Sequence, residues 1–259
     1  MNLQAVAFTA AIMLATTPPA IAGLACNIHS GSNTTALIEL YTSEGCSSCP
    51  PADRQLSQLA SALEPSAAVV ALALHVGYWD YLGWPDRFAQ ERFAQRQDWL
   101  VHANDQRTVY TPQFLVGGSE FQAWQGSLRD IVRRLNTKPA LATINLHTTL
   151  SPDNVLTLDA VATAQGGDDS TVLYLAIAEN GLVTRVMGGE NKDATLAHDH
   201  VVREWLGPFR LRQGTIRAKR EVRLPAGWQR DRLETIAFVQ DERSGLVLQA
   251  LSTASCTDT

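Results

Sequence analysis

Two cysteines separated by two serines form the most reactive group in the sequence. Cys46 and Cys49 stand between an apolar run and the pair Pro50-Pro51, which suits the first turn of a helix. In that position the first cysteine lies at the positive end of the helix, where free N–H groups lower a thiol pKa. The second lies one turn further along and can attack a mixed disulfide formed by the first. The spacing therefore predicts a redox-active dithiol in which Cys46 is the exposed, more reactive thiol.

Two other uses of this cysteine pair stay open. A purely structural bridge would remove little chain entropy across so short a loop. A zinc site would need further ligands, and no second Cys-x-x-Cys or His-x-x-x-His motif is present. With a histidine such as His75 or His198, however, the thiolates of Cys46 and Cys49 would suit Cu(I). The alternatives to a cofactor-free thiol-disulfide oxidoreductase are thus a copper-binding or metallochaperone protein and a non-catalytic binding module.

The N-terminus points to export. No Lys, Arg, Asp or Glu precedes Glu39, and residues 3–15 form an apolar run that two prolines and the small-x-small sequence Ala20-Ile21-Ala22 follow. The run is shorter than the roughly 20 apolar residues of a transmembrane helix. Residues 1–22 are therefore predicted to be a signal peptide. The mature protein would be periplasmic or secreted, without a transmembrane segment.

Cys26 and Cys256 lie near the two ends of the mature chain. Disulfides persist in an oxidising compartment, and the neighbouring Cys46 and Cys49 leave these two cysteines to pair. Chain-entropy models assign a bridge over so long a loop roughly 4–5 kcal/mol, so a structural disulfide is predicted. Acylation of Cys26 in a lipoprotein is the alternative.

The composition limits the partners. About 45% of the residues are hydrophobic and 18% are charged, with a formal net charge of −5, as in a soluble globular protein. Without a broad cationic field, a nucleic-acid partner is not expected. The expected partners are protein thiols or disulfides and a redox partner that the sequence does not identify.

Hydrophobic periodicity changes near Lys138-Pro139. Before it, the predicted order is strand, helix, strand, helix, strand, strand, helix, which gives a mixed sheet. Beyond it, apolar residues alternate at period two between frequent turn signals, which is typical of an antiparallel sandwich. The predicted fold is an α/β domain over residues 23–138, with a mixed sheet flanked by helices, followed by an all-β sandwich-like domain over residues 139–259.

The strand–Cys-x-x-Cys–helix unit and the order of elements resemble the thioredoxin superfamily, so the first domain is predicted to be thioredoxin-like. The resemblance implies that Pro112 corresponds to that superfamily's cis-proline. On this basis the segment Tyr110-Thr111 would hold an extended substrate peptide.

The same resemblance suggests a role for Glu39, in the strand before the dithiol. It would be the buried carboxylate that moves the proton of Cys49, and exposure at a strand edge is the alternative. Trp79 belongs to an aromatic loop that either forms a lid or substrate wall or packs between the two domains.

Longer segments resemble a bacterial family known as domain of unknown function 1223. The similar segments are Leu40 to Asp53, His75 to Trp84, Arg107 to Gln113, and Gly189-Glu190-Asn191 with Leu196, His198, Val201, Val202 and Arg203. The biochemistry of that family is not established, so this resemblance supports fold and export more than substrate.

Two departures from thioredoxins affect the direction of electron transfer. Gly45 stands where thioredoxins carry tryptophan, and the dipeptide between the cysteines is Ser-Ser. In addition, the charge of Glu44 would disfavour a thiolate at Cys46. The sequence therefore does not decide between oxidase, reductase and isomerase.

Overall fold

Long runs of apolar and β-branched residues build most of the structure as strands. The computed structural model describes residues 24–122 and 127–256. The predicted signal peptide lies outside the described residues. The strands are β1 (Leu24–His29), β2 (Ala36–Thr42), β3 (Val69–His75), β4 (Gln113–Val116), β5 (Ser119–Glu120), β6 (Ala142–Leu150), β7 (Val155–Ala164), β8 (Thr171–Glu179), β9 (Leu182–Arg185), β10 (Thr195–His198), β11 (Val201–Arg210), β12 (Thr215–Arg223), β13 (Leu233–Asp241) and β14 (Val247–Ser252).

Helices occur mainly in the first half of the chain. They are α1 (Pro50–Ser57), α2 (Leu59–Ala62), α3 (Glu91–Ala103) and α4 (Leu128–Asn136). The helix that the prolines predict begins at Pro50, and the strands predicted on either side of it are present. Within the described ranges no helix has the length and apolar character needed to span a bilayer.

The strands form a sheet that runs through both halves of the chain. Its order is β14-β13-β8-β11-β3-β2-β4-β5. β2 is parallel to β3, and β11 joins β3 through the parallel pair Val201 and Ala73. The other pairings in this sheet are antiparallel.

The predicted fold class is therefore wrong at the level of assembly. Four strands from beyond residue 139 complete the sheet that begins with β2, so this is not a helix-flanked thioredoxin-like domain followed by a separate sandwich. A second, four-stranded antiparallel sheet, β1-β6-β7-β12, also combines strands from the two halves of the chain, because β1 pairs with β6. The pairing of β11 with β3 is non-local, and no local sequence pattern encodes it.

Alternation along the strands separates two faces of the large sheet. On one face, a core that includes Leu37, Leu72 and Tyr174 is covered by α3. On the other face, α1, α2 and α4 cover β2, β3 and β4, and the four-stranded sheet covers β8 and β13. The dithiol lies at the start of α1, on this second face.

A disulfide ties the ends of the described chain together. Cys26 in β1 is bonded to Cys256, which follows β14, and their Cα atoms are 6.1 Å apart. Because the bridge spans 230 residues, it restricts the unfolded chain far more than a short bridge does.

Candidate functional site

Cys46 and Cys49 form a disulfide at the junction between β2 and α1. Their Cα atoms are 5.5 Å apart. Cys49 is the residue that precedes the first turn of α1, and Pro50 and Pro51 occupy that turn. Proline has a φ angle suited to this position and lacks the N–H that would be unpaired there. The local sequence therefore starts the helix directly after the second cysteine.

Both sulfur-bearing residues are covered. Cys46 is 1% exposed and Cys49 is 0% exposed, whereas the intervening Ser47 and Ser48 are exposed. The expectation that Cys46 is an exposed thiol is wrong for this disulfide form. Its cover comes from three segments distant in sequence, so the residues around the motif do not reveal it.

The first covering segment contains the predicted substrate residues. The carbonyl oxygen of Thr111 lies 3.8 Å from Cys46 Sγ, and the Thr111–Pro112 peptide is cis. Tyr110 is 36% exposed, and its hydroxyl donates to Glu120 over 2.8 Å. Burial, followed by the contact with Glu120, raises the pKa of Tyr110 to about 12. The segment before Pro112 thus borders Cys46 and is held in place by side-chain hydrogen bonds.

The second covering segment is the aromatic loop after β3. Trp79 is half-buried, and its Nε1 donates to Thr111 Oγ1 over 2.7 Å. A Cβ atom on Gly45 would lie 2.9 Å from Cβ of Trp79, so only glycine permits this approach. The aromatic loop therefore packs directly against the loop that carries Cys46.

The third covering segment is the loop between β9 and β10, residues 186–194. The carboxylate of Glu190 accepts a hydrogen bond of 2.9 Å from the backbone N–H of Ser47. The side-chain amide of Asn191 donates to the carbonyl oxygens of Glu44 and Cys46, both over 2.9 Å. This 186–194 loop, from the distant half of the chain, holds the backbone of the dithiol loop.

Behind the disulfide lies a cluster of buried acids and histidines, which we call the acid–base cluster. One turn of α1 after Cys49, Asp53 lies on the same side of the helix and is 7% exposed. Its Oδ2 is 3.9 Å from Nδ1 of His198, whose Nε2 is 3.4 Å from Oε1 of Glu44. The other members are His75 and Asp86, and all five are buried.

The two histidines are in contact, but their nitrogens are not fully hydrogen-bonded. The ring of His75 meets that of His198 edge-to-face at 5.0 Å, and its Nδ1 is 2.7 Å from Asp86 Oδ2. Nε2 of His75 and both ring nitrogens of His198 lack well-aligned hydrogen bonds, as does Oε1 of Glu44. Unsatisfied buried polar atoms are costly, and they are typical of sites that exchange protons or bind a ligand.

The environment moves the pKa values of the cluster in opposite directions. Burial raises the pKa of Asp53 above its ordinary value. Burial acts the same way on Glu44 and Asp86, but contacts with His198 and Trp84 keep the pKa of Glu44 low, and His75 keeps that of Asp86 low. Burial lowers the pKa of His75, and Asp86 outweighs it, so the net change is upward. Asp53 is therefore the carboxyl that most readily takes up a proton.

Glu39, which was predicted to move a proton for Cys49, lies on the opposite face of the sheet. Arg96 on α3 donates to both of its carboxylate oxygens, over 2.7 and 2.9 Å, and Tyr41 donates to it over 3.0 Å. Side chains alternate along β2, so Glu39 joins the core under α3 and not the face that carries α1. The structure leaves Glu39 out of the site.

Asp53, Asp86, Glu190 and Asn191 had no predicted role in the site, although all except Asp86 stand in the segments that resemble the family. For Asp53 a signal was present, because a residue four positions after Cys49 shares its helix face. His75 and His198, named as alternative copper ligands, do come together behind the disulfide. In this disulfide form, no set of three His, Cys, Asp or Glu side chains in the described ranges is placed to hold a metal ion.

The comparisons with known proteins agree with one family. The family model described as protein of unknown function DUF1223 matches residues 37–240, and the chain belongs to this family. No curated protein matches the sequence.

Two solved structures are similar in fold. One is the crystal structure of a structural-genomics target from Agrobacterium tumefaciens, which is 23% identical, with a TM-score of 0.58 over 86% of this chain and 95% of that one. The other is HBP35 of Porphyromonas gingivalis, which is 16% identical, with a TM-score of 0.64 over 89% of this chain and 80% of that one. At such identities the likeness concerns the fold alone.

Proposed function

We propose that the protein is an exported thiol-disulfide oxidoreductase, periplasmic or secreted, that acts on protein cysteines through Cys46 and Cys49. The observation that carries this proposal is the buried acid–base cluster, whose Asp53 lies one turn of α1 after Cys49. Burying polar groups such as Asp53 and His198 without complete hydrogen bonding costs free energy. A purely structural disulfide would not explain that cost. Exchange between a dithiol and a disulfide, in contrast, requires proton transfer at the buried sulfur.

The reaction follows from the order of the two sulfurs. Cys46, as a thiolate, attacks one sulfur of a target disulfide, which forms a mixed disulfide and releases the first target thiolate. Cys49 then gives its proton to Asp53 and attacks Cys46 Sγ, which releases the second target thiolate. The protein dithiol loses two electrons, the target disulfide gains them, and the reverse sequence oxidises a target dithiol. Two cysteines suffice for this chemistry without a cofactor.

Pro112 and the segment before it supply the docking place. The Thr111 carbonyl is already within 3.8 Å of Cys46 Sγ, and the exposed residues Val109 and Tyr110 precede it. An extended target peptide bound to this segment would contact Cys46 after the aromatic loop moves away. Because Cys46 is covered in the disulfide form, exchange requires movement of at least one of the surrounding segments.

A trapping experiment tests the proposal. A Cys49→Ser variant retains the attacking sulfur and lacks the resolving one, so mixed disulfides should accumulate on Cys46 in an exporting host and with a disulfide-bonded protein in vitro. Cys26 and Cys256 serve as the internal control, because they should carry no adduct. Absence of any adduct on Cys46 under both conditions would refute disulfide exchange.

A further inference from the structure

Building on this proposed function, we infer that the dithiol works as a reductant, and that Glu190 on the 186–194 loop is a residue that sets this direction. The direction depends on how well the protein stabilises the thiolate of the reduced form. A dithiol whose thiolate is strongly stabilised is a good oxidant, and one whose thiolate is poorly stabilised is a good reductant. The surroundings of Cys46 stabilise its thiolate poorly.

The helix offers few donors to the sulfur. Pro50 and Pro51 have no N–H groups, so the first two positions of α1 contribute none. The N–H groups of Ala52 and Asp53 both donate to the Cys49 carbonyl, over 2.9 and 3.1 Å. Four positions that commonly stabilise an anion at a helix start are therefore without a free donor.

Glu190 takes a further donor and adds a negative charge. Its carboxylate accepts the hydrogen bond from the N–H of Ser47, the peptide group that follows Cys46. That hydrogen bond lowers the pKa of Glu190 and keeps the group ionised. The amide of Asn191 is directed at the Cys46 carbonyl and not at the sulfur. The N–H of Ser47, which could stabilise a thiolate at Cys46, is thus bound to the carboxylate of Glu190. The negative charge of that carboxylate would repel the thiolate.

The polar contacts of Cys46 Sγ include a carbonyl oxygen and a hydroxyl. The Thr111 carbonyl oxygen, 3.8 Å away, can accept from a thiol but repels a thiolate. The hydroxyl of Ser48, at 3.3 Å, is the donor-capable group that faces this sulfur. This hydroxyl can donate to a thiolate at Cys46 and so counteracts the repulsion by the other groups. A Ser48→Ala variant should therefore raise the pKa of the Cys46 thiol further.

The acid–base cluster adds acidic charge behind the pair. Glu44 and Asp86 are kept ionised, and Asp53 adds a third carboxyl. His75 offsets one of these through its pair with Asp86, and His198 lies between the other two. With Glu190, the dithiol is surrounded by four acidic side chains and two histidines, so acidic groups are in excess.

The direction of the reaction follows. The dithiol of Cys46 and Cys49 gives up two electrons and two protons to become the disulfide, and a protein disulfide takes them up to become two thiols. A second protein dithiol must reduce Cys46–Cys49 again for the next turnover. We expect targets that carry incorrect or unwanted disulfides, and an upstream dithiol donor.

The test replaces Glu190 by glutamine, which keeps the acceptor for Ser47 N–H and removes the charge. In Glu190→Gln the pKa of the Cys46 thiol should fall by about 0.5. At a pH above the pKa of the Cys46 thiol, the equilibrium constant for reduction of the Cys46–Cys49 disulfide by glutathione should rise about threefold. Glu221→Gln, an exposed substitution on β12, should change neither value. Because Glu190 is exposed, 1 M salt should move the wild-type protein towards the variant.

The outcomes separate this inference from the proposed function. If Glu190→Gln matches the wild type in thiol pKa and glutathione equilibrium while the wild type still exchanges disulfides, the reductant assignment fails alone. A wild-type dithiol that glutathione reduces readily would also overturn it. If wild-type protein exchanges with no protein disulfide, the proposed function fails, whatever the thiol pKa values are.

Discussion

Buried charged side chains lie on both faces of the large sheet, in two clusters that differ in how completely their atoms are paired. Under α3, Glu39 and Arg96 form a bidentate ion pair, and Gln240 accepts a further hydrogen bond of 3.0 Å from Arg96. The guanidinium also lies 4.8 Å from the ring of Trp205. On the α1 face, His75 and His198 have ring nitrogens without well-aligned partners.

The difference separates a structural cluster from a chemical one. Where every charged atom is paired, a change of protonation would break several contacts at once, and the arrangement serves to hold β2, α3 and β13 together. Where ring nitrogens lie near carboxylates without well-aligned hydrogen bonds, a proton can be taken up without breaking a hydrogen bond. The acid–base cluster therefore suits proton transfer, and the Glu39–Arg96 pair does not.

The largest expected effect concerns the structural cluster. Arg96→Met leaves the Glu39 carboxylate buried without its cationic partner, which should lower the free energy of unfolding by about 3–5 kcal/mol. Urea unfolding of the disulfide-bonded protein measures this loss. The double variant Glu39→Gln with Arg96→Met should recover much of it, because no buried charge is left over. A loss below about 1 kcal/mol for Arg96→Met would contradict a structural role.

A second expected effect is kinetic and concerns the acid–base cluster. Asp53→Asn keeps the shape of the side chain but cannot accept the proton of Cys49, so resolution of the mixed disulfide should slow by at least about tenfold. Acid-quenched reactions of reduced protein with a disulfide-bonded protein measure the lifetime of the adduct on Cys46. The free energy of unfolding should change by less than about 1 kcal/mol, because burial already penalises this carboxylate.

The matched control for Asp53→Asn is Asp159→Asn, at an exposed position of β7. It should leave both the adduct lifetime and the stability unchanged. Equal resolution rates for Asp53→Asn and the control would show that Asp53 does not handle the proton.

The smallest expected effect is a pH dependence to which His75 and His200 contribute. The pKa of His75 is raised by Asp86 and that of His200 by Glu234, against the effect of burial. A raised histidine pKa contributes stability that is fully present below the unfolded value of about 6.5. It is lost as the pH rises through the folded value. The free energy of unfolding should therefore decline from pH 6.5 upwards. Arg96 adds nothing to this decline, because its raised pKa keeps the guanidinium charged.

Urea unfolding at several pH values between 6 and 9 measures this decline. His75→Asn and His200→Asn should each make it shallower, and His102→Asn, at an exposed position, should not. A wild-type profile without slope, or one that His75→Asn leaves unchanged, would contradict the assignment.

Local structure around the dithiol could be predicted from the sequence, and its surroundings could not. The apolar run before Cys46 and the prolines after Cys49 specify β2 and the start of α1 through local preferences. Alternation along β2 places Glu39 on the opposite face of the strand from its two neighbours. Because both faces of this strand are buried, however, the sequence gives no sign of which face α1 covers. The cover over Cys46 comes from Thr111, Trp79 and Glu190, whose approach depends on pairings between distant strands.

The assembly of the sheets was unpredictable for the same reason. Alternation after Lys138 correctly predicts antiparallel strands, yet it contains no information on whether they form their own sandwich. β11 pairs with both β8 and β3, and β1 pairs with β6, so both sheets combine strands from the two halves of the chain. Motif and periodicity describe elements, whereas contacts between distant strands decide how the elements join.

The most direct test of the central claim counts thiols in a single turnover. Reduced protein, with Cys26–Cys256 intact, is mixed with an equimolar disulfide-bonded protein, and the new thiols on the target are measured. The account predicts two target thiols for each Cys46–Cys49 disulfide formed, and none for a Cys46→Ser variant. If the target gains no thiols although Cys46 and Cys49 begin fully reduced, the pair is not a redox centre.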